Sequence, residues 1–301
     1  MLNKILVPLD GSELAERALT YATALAVRTE AQLLLVRAVT SHTLAGVDPR
    51  ERQLGAIHAA ESYLEQVARK LRERGLACET VVRYGHAAEC VAESARTRQA
   101  DLIVMATHGR TGPGRWVLGS VAETVVASSS VPVLVQRAGQ PLLDDPLLEN
   151  QPKLIVPLDG SAFAESALEP AARLAEELGG RLILVRVEDH PTAIHAMLEY
   201  LPRALDRVAE HHPDLPIKTD VRLGEAAYGI EEAVAKYDAT LVVMATHGRG
   251  GVMRALLGSV AGKFMQLGDV PVVLIRPAPK AADQAPTPEV SASRSRRSSV
   301  A

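Results

Sequence analysis

Aromatic side chains are scarce in this sequence: 301 residues contain one Trp, two Phe and six Tyr. A core without large rings must be filled by Val, Leu, Ile and Ala, and hydrophobic residues make up 47% of the chain. That is the composition of buried parallel strands covered by Ala-rich helices. Only two cysteines occur, Cys78 and Cys90, in neither a C-x-x-C nor a metal-ligand spacing, so both read as plain core or surface thiols. No apolar run approaches about 18 residues, and Met1–Lys4 lead straight into a strand with no signal-peptide pattern. The expectation is a cytoplasmic chain with no membrane partner. A net charge of −3 advertises no nucleic-acid surface.

What the chain does contain, it contains twice. Val-Met-Ala-Thr-His-Gly-Arg occupies 104–110 and again 243–249; nine residues counted from that arginine lead in each copy to Gly-Ser-Val-Ala, at 119–122 and 258–261. Lys-Ile-Leu-Val-Pro-Leu-Asp-Gly-Ser at 4–12 returns at 153–161 as Lys-Leu-Ile-Val-Pro-Leu-Asp-Gly-Ser. Pro8 and Pro157 are 149 apart whereas Gly119 and Gly258 are 139 apart. The ten missing residues fall between the second and third strands, in a loop and long helix that absorb such changes cheaply.

The first copy reads as strand 4–9, helix 12–27, strand 31–39, an irregular stretch and a long helix to 74. Strand 78–84, helix 86–99, strand 101–105, helix 119–129 and strand 131–136 follow. Strictly alternating strands and helices imply a parallel sheet with right-handed crossovers and helices on both faces. The chain is therefore expected to be α/β, two tandem Rossmann-like domains of five parallel strands each. The domains are 1–138 and 153–278, joined by a Pro-rich linker at 139–152. A tail at 279–301, rich in Ala, Pro, Ser and Arg, cannot bury apolar surface and is expected to be disordered. Pro202 falls inside the second long helix and predicts a kink or a break.

In an open parallel sheet, ligands bind beyond the carboxyl ends of the strands where the strand order reverses. Pro-Leu-Asp-Gly-Ser ends the first strand and Met-Ala-Thr-His-Gly the fourth; as neighbours, they would face one crevice. A strand end, a glycine turn and a fresh helix N-terminus are the parts that hold a phosphate, because free N–H groups converge there and the helix dipole favours an anion. Neither G-x-x-x-x-G-K-S/T nor G-x-G-x-x-G is present in this stretch. Asp10 or Asp159 would hold a base, a ribose hydroxyl or a magnesium ion. Each motif also has a plain structural reading. Asp10-Gly11 and Asp159-Gly160 make turns, Ser12 and Ser161 cap helices, and Ser120 with Glu123 forms an S-x-x-E capping box. His108 and His247 read as turn residues, and Arg110, Arg115, Arg249 and Arg254 as solvated arginines within reach of a terminal phosphate.

These residues resemble the universal stress protein family in its tandem form, over about 1–137 and 153–276. ATP-binding members carry G-x-x-G, nine residues, then G-S/T; here Ala106 and Ala245 stand in the place of the first glycine. The resemblance implies ATP, with or without Mg, as cofactor, bound by Pro8, Asp10, Ala38, Met105, Ala106, Gly109, Gly119, Ser120 and Val121. In the second copy it implies Pro157, Asp159, Val187, Met244, Ala245, Gly248, Gly258, Ser259 and Val260. Alanine keeps the N–H donor but resists φ > 0, so its effect depends on the backbone there. The family also implies pairing of the fifth strands, an intrachain pseudo-dimer that can associate further into a homodimer. The function expected is an adenine-nucleotide-binding stress-response regulator with little or no turnover. A slow ATPase or nucleotide-dependent transferase, and a nucleotide-free interaction protein, are the alternatives.

Overall fold

The structure is a computed structural model that describes residues 1–40, 49–107, 118–138, 140, 151–190, 194–246 and 257–277. The first half contributes β1 (Lys4–Pro8), α1 (Glu13–Glu16), α2 (Ala18–Thr29), β2 (Gln32–Val39), α3 (Pro49–Glu73), β3 (Cys78–Tyr84), α4 (Ala87–Thr97), β4 (Leu102–Thr107), α5 (Ser120–Ser128) and β5 (Val133–Arg137). The second repeats the order with β6 (Lys153–Pro157), α6 (Ala162–Glu165), α7 (Leu168–Glu177), β7 (Arg181–Glu188), α8 (Ile194–His211), β8 (Ile217–Leu223), α9 (Ala226–Tyr237), β9 (Leu241–Ala245), α10 (Ser259–Leu267) and β10 (Val272–Ile275).

Hydrogen bonding orders the strands β3-β2-β1-β4-β5-β10-β9-β6-β7-β8 in one ten-stranded sheet. Each half is parallel within itself, and β5 and β10 join the halves antiparallel, with Val135 opposite Val272 and Val133 opposite Leu274. The pairing covers the edge that each half would otherwise expose. Around the seam, Gln140 donates its amide to the carbonyls of Gly268 (3.3 Å) and Val270 (2.7 Å), and Arg17 donates to the Gln140 carbonyl at 2.6 Å.

Alternation along the strands divides the core in two. Ile5, Val7, Leu33, Leu35 and Val104 point to the face covered by α2 and α3, as do their counterparts to α7 and α8. Leu6, Leu34, Val36, Ile103 and Met105 point to the face covered by α4 and α5, and in the second half the cover is α9 and α10. Both faces are buried, which is why the strands read as continuous apolar runs.

Two expectations need correction. The single helix expected over 12–27 is two, because the chain tightens at Arg17: its amide bonds Leu14 as well as Glu13, and Thr20 bonds back to Arg17. Such i→i+3 bonds interrupt the ladder without disturbing the apolar face. Of the kink or break expected at Pro202, the break does not occur: α8 runs through it from 194 to 211, with Leu201, Ala204 and Val208 buried against the sheet. Tertiary packing there overrides a local cost of about 3 kcal/mol. The ten-residue difference falls where expected, α3 having 25 residues and α8 only 18. Nearly all of the linker and the tail, at 141–150 and 278–301, lie outside the described residues.

Candidate functional site

β1 lies between β2 and β4, so the order reverses at the β1–β4 gap, and it does so again at β6–β9. A crevice opens at the carboxyl end of each gap. The first, of about 470 Å³, is lined by Pro8, Asp10, Ala38, Met105, Ala106, Gly119, Ser120 and Val121. The second, of about 270 Å³, is lined by Pro157, Asp159, Val187, Met244, Ala245, Gly258, Ser259 and Val260. Every described candidate therefore comes to the crevice of its own half. Gly109, Gly248, His108, His247, Arg110, Arg115, Arg249 and Arg254 lie outside the described residues.

The carboxylate wall is built identically twice. Asp10 Oδ1 accepts from the Ser12 amide at 2.9 Å and its hydroxyl at 2.6 Å, and Asp159 accepts from Ser161 at the same two distances. Ser12 and Ser161 in turn accept from the amides of Ala15 and Ala164 at 3.1 Å, capping α1 and α6. The turn-and-cap reading thus holds for these serines, and it fixes the carboxylates rather than replacing them. Partial burial pushes the Asp10 carboxyl up, but the two Ser12 hydrogen bonds and the Arg37 guanidinium outweigh it and hold the group below the usual carboxylate value. Asp10 is ionised at neutral pH, with Oδ1 committed to the turn.

The opposite wall is the start of a helix, and here the capping-box reading fails. Gly119, not Ser120, is the N-cap of α5, and it makes no side-chain cap; Gly258 does the same for α10. Gly119 has φ +83°, which only glycine adopts without strain, and this places Ser120 one residue inside the helix. The Glu123 amide bonds the Gly119 carbonyl, and Gly262 bonds Gly258. The amides of Ser120, Val121 and Ala122, and of Ser259, Val260 and Ala261, have no backbone acceptor among the described residues. Unfilled donors at a helix start attract an anion. The alanines in place of the family's first glycine are not strained: Ala106 lies in β4 and Ala245 in β9, and neither has a positive φ.

Lining residues without a motif were missed. Ala87 and Val91 come from α4, Ala226 and Ile230 from α9, and Phe163 from α6. The helix after the third strand covers the same face as the helix after the fourth, so the alternation alone could have pointed to it. Thr107, 1% exposed, also lines the first crevice, and its Oγ1 has no partner among the described residues.

Two doubly wound α/β units, each with an open crevice at its switch point, define a tandem Rossmann-like protein. A sequence profile described as the Universal stress protein family matches residues 1–137 and again 152–276. The chain belongs to the universal stress protein family, which it carries in duplicate. A universal stress protein of Mycolicibacterium smegmatis is 30% identical over 234 residues, 74% of this chain and 77% of its own length. Universal stress protein Rv2005c of Mycobacterium tuberculosis is 31% identical over 191 residues, 60% of this chain and 63% of its own, a little under two thirds of that protein. The crystal structure of a universal stress protein from Archaeoglobus fulgidus superposes with a TM-score of 0.73 at 22% identity, covering 92% of this chain and 99% of that one; the fold is shared. Among the described residues no helix is long and apolar enough to cross a membrane.

Proposed function

We propose that the chain binds an adenine nucleotide, ATP in the first instance, in at least one crevice, and acts as a stress-response regulator rather than as a catalyst. The observation that carries this reading is the pairing of an ionised aspartate with an uncapped helix start across one cleft. The phosphates are received by the amides of Ser120 and Val121, or of Ser259 and Val260, where the helix dipole favours negative charge. Asp10 or Asp159 accepts from a ribose hydroxyl or the base, and Ala38 with Met105, or Val187 with Met244, flanks the ring. If Mg²⁺ accompanies the phosphates, the aspartate is the carboxylate closest to hand. Nucleotide occupancy then biases what the joined halves associate with, including a second copy of the chain.

Turnover is not expected. Among the described residues no cluster of three or more His, Cys, Asp or Glu gathers to hold a metal, and the crevice wall supplies no lysine. The test is calorimetric titration with ATP, together with mass spectrometry of the gently denatured, freshly purified chain and a phosphate-release assay. Expected are saturable binding, affinity lowered roughly tenfold or more in Asp10→Ala through loss of a charged hydrogen bond, and phosphate release at background. An absence of both binding heat and co-purifying nucleotide would sink the reading. Release well above background, abolished in Asp10→Ala or Asp159→Ala, would replace it with a slow ATPase.

A further inference from the structure

We infer that the nucleotide enters the first crevice alone, and that the pair Val187–Gly229 closes the second at its base end. The inference rests on the nucleotide reading above and goes beyond it by assigning the two halves different occupancy.

In that reading the base is flanked by Ala38 at the end of β2 or Val187 at the end of β7, 149 residues apart. The helix behind them carries Cys90 in α4 and, 139 residues later, Gly229 in α9. A Cβ placed on Gly229 would lie 2.6 Å from Val187 Cγ1 and 2.8 Å from Cγ2. The two Val187 methyls thus fill the space that a side chain at 229 would need. The first half makes the reverse choice, a small residue on the strand and a larger one on the helix. In the first half the helix side chain, Cys90, is buried, whereas in the second the bulk stands at the strand end, Val187, which lines the cleft. Two further changes act the same way: Ile230 stands where the first half has Val91, and Phe163 lines the second cleft from the position of Leu14. Small-molecule pockets run from about 300 to about 1,000 Å³. The first crevice, at about 470 Å³, lies well inside that range, and the second, at about 270 Å³, is little more than half as large.

Charge at the strand end points the same way. Arg186 donates from Nε to Glu188 at 2.8 Å, and Val39 occupies the position of Glu188 in the first half. Arg37 makes no carboxylate hydrogen bond among the described residues; it leans over the Tyr63 ring at 4.7 Å and lends its charge to the Asp10 side of the first crevice. At this strand end the second half carries one carboxylate more than the first, while at the helix start Glu123 gives the first half one more than the second.

The test is calorimetric titration of the full chain with ATP, with native mass spectrometry for stoichiometry. One ATP per chain is expected. Ala38→Val is expected to lower its affinity tenfold or more, and so is Ala38→Val with Cys90→Gly. The double variant reproduces the second half's own pair, so the packing of the layer survives, as its thermal midpoint will report. Val187→Ala is expected to raise the stoichiometry towards two. Two equivalent ATP molecules on the wild type would overturn this inference and leave the nucleotide reading standing, whereas none at all would remove both. Wild-type affinity in the folded double variant would also overturn it.

Discussion

The two halves build each wall of the crevice from the same turn, strand and helix start, and differ in how much side chain they place there. Asp10 and Asp159 sit in matching hydrogen-bond patterns, whereas Ala38 is replaced by Val187 and Cys90 by Gly229 between the copies. Main-chain geometry is costly to alter, because the Ser12 and Ser161 amides would lose their aspartate partners; side-chain volume can be traded between neighbouring elements provided the total stays constant. The phosphate end trades in the opposite sense: Glu123 stands in the first turn of α5, where the second half has Gly262. Overfilling a packed site costs about 1–3 kcal/mol, and a misplaced charge at a helix terminus only about 0.3–1 kcal/mol. On the proposed reading, volume decides which crevice takes the nucleotide, and charge adjusts how tightly.

The sharpest way to break the comparison is one substitution made in both halves. Gly119 has φ +83° and ψ 138°, a region nearly confined to glycine, while Gly258 has φ −57°. Gly119→Ala is expected to destabilise by about 1–3 kcal/mol through backbone strain, and Gly258→Ala to change stability by less than about 0.5 kcal/mol. Urea unfolding of the two variants measures the difference. Equal losses would mean that the two helix starts do not differ as described.

A smaller effect belongs to the second half alone. His212, nearly buried, lies with Nε2 3.1 Å from Glu169 and Nδ1 2.8 Å from Glu176; the first half has Glu73 at the corresponding position. Burial lowers the pKa of the ring, but the two carboxylates outweigh it and raise it above 6.5. A raised cationic pKa stabilises the fold below pH 6.5, and that contribution is lost as pH climbs through the folded value. With both glutamates part-exposed the contribution is about 1 kcal/mol. Wild type should lose about that much stability relative to His212→Gln between pH 6 and pH 8.5, read from paired urea midpoints. A difference independent of pH would show that the ring acts by packing alone.

Much of this was legible in the letters because duplication supplies its own control: Pro-x-Asp-Gly-Ser and the Gly-Ser turn each recur at matched places, and their residues line the crevices. The strand at Cys78–Tyr84 could be read to the residue from alternation. The division of the first helix at Arg17 could not, since tightened i→i+3 bonds leave the apolar spacing unchanged and no Gly or Pro marks them. Ser120 was misplaced by one residue because a capping serine and a first-turn serine look alike in sequence; only the Gly119 backbone separates them. The Val187–Gly229 contact joins a strand to a helix about forty residues on, and no local pattern announces a size exchange over that distance.

The smallest effect refines the phosphate end of the first crevice. Glu123 lies four residues after the N-cap Gly119 and is half-buried, so its carboxylate stands against the field that the amides of Ser120 and Val121, without a backbone acceptor among the described residues, present to an anion. Gly262 shows that the fold accepts no side chain at all there, and a Cβ on Gly262 would meet nothing within 4 Å. Neutralising the charge while keeping its shape, Glu123→Gln, should tighten ATP by about two- to five-fold, the equivalent of about 0.3–1 kcal/mol at a helix start. The gain should shrink as salt rises from 50 to 500 mM, because a charge at the crevice rim is screened over about 10 Å at 0.1 M. Calorimetry at the two salt concentrations separates this field effect from a change in shape, which salt would leave untouched. Weaker binding in Glu123→Gln would place the phosphates away from the start of α5.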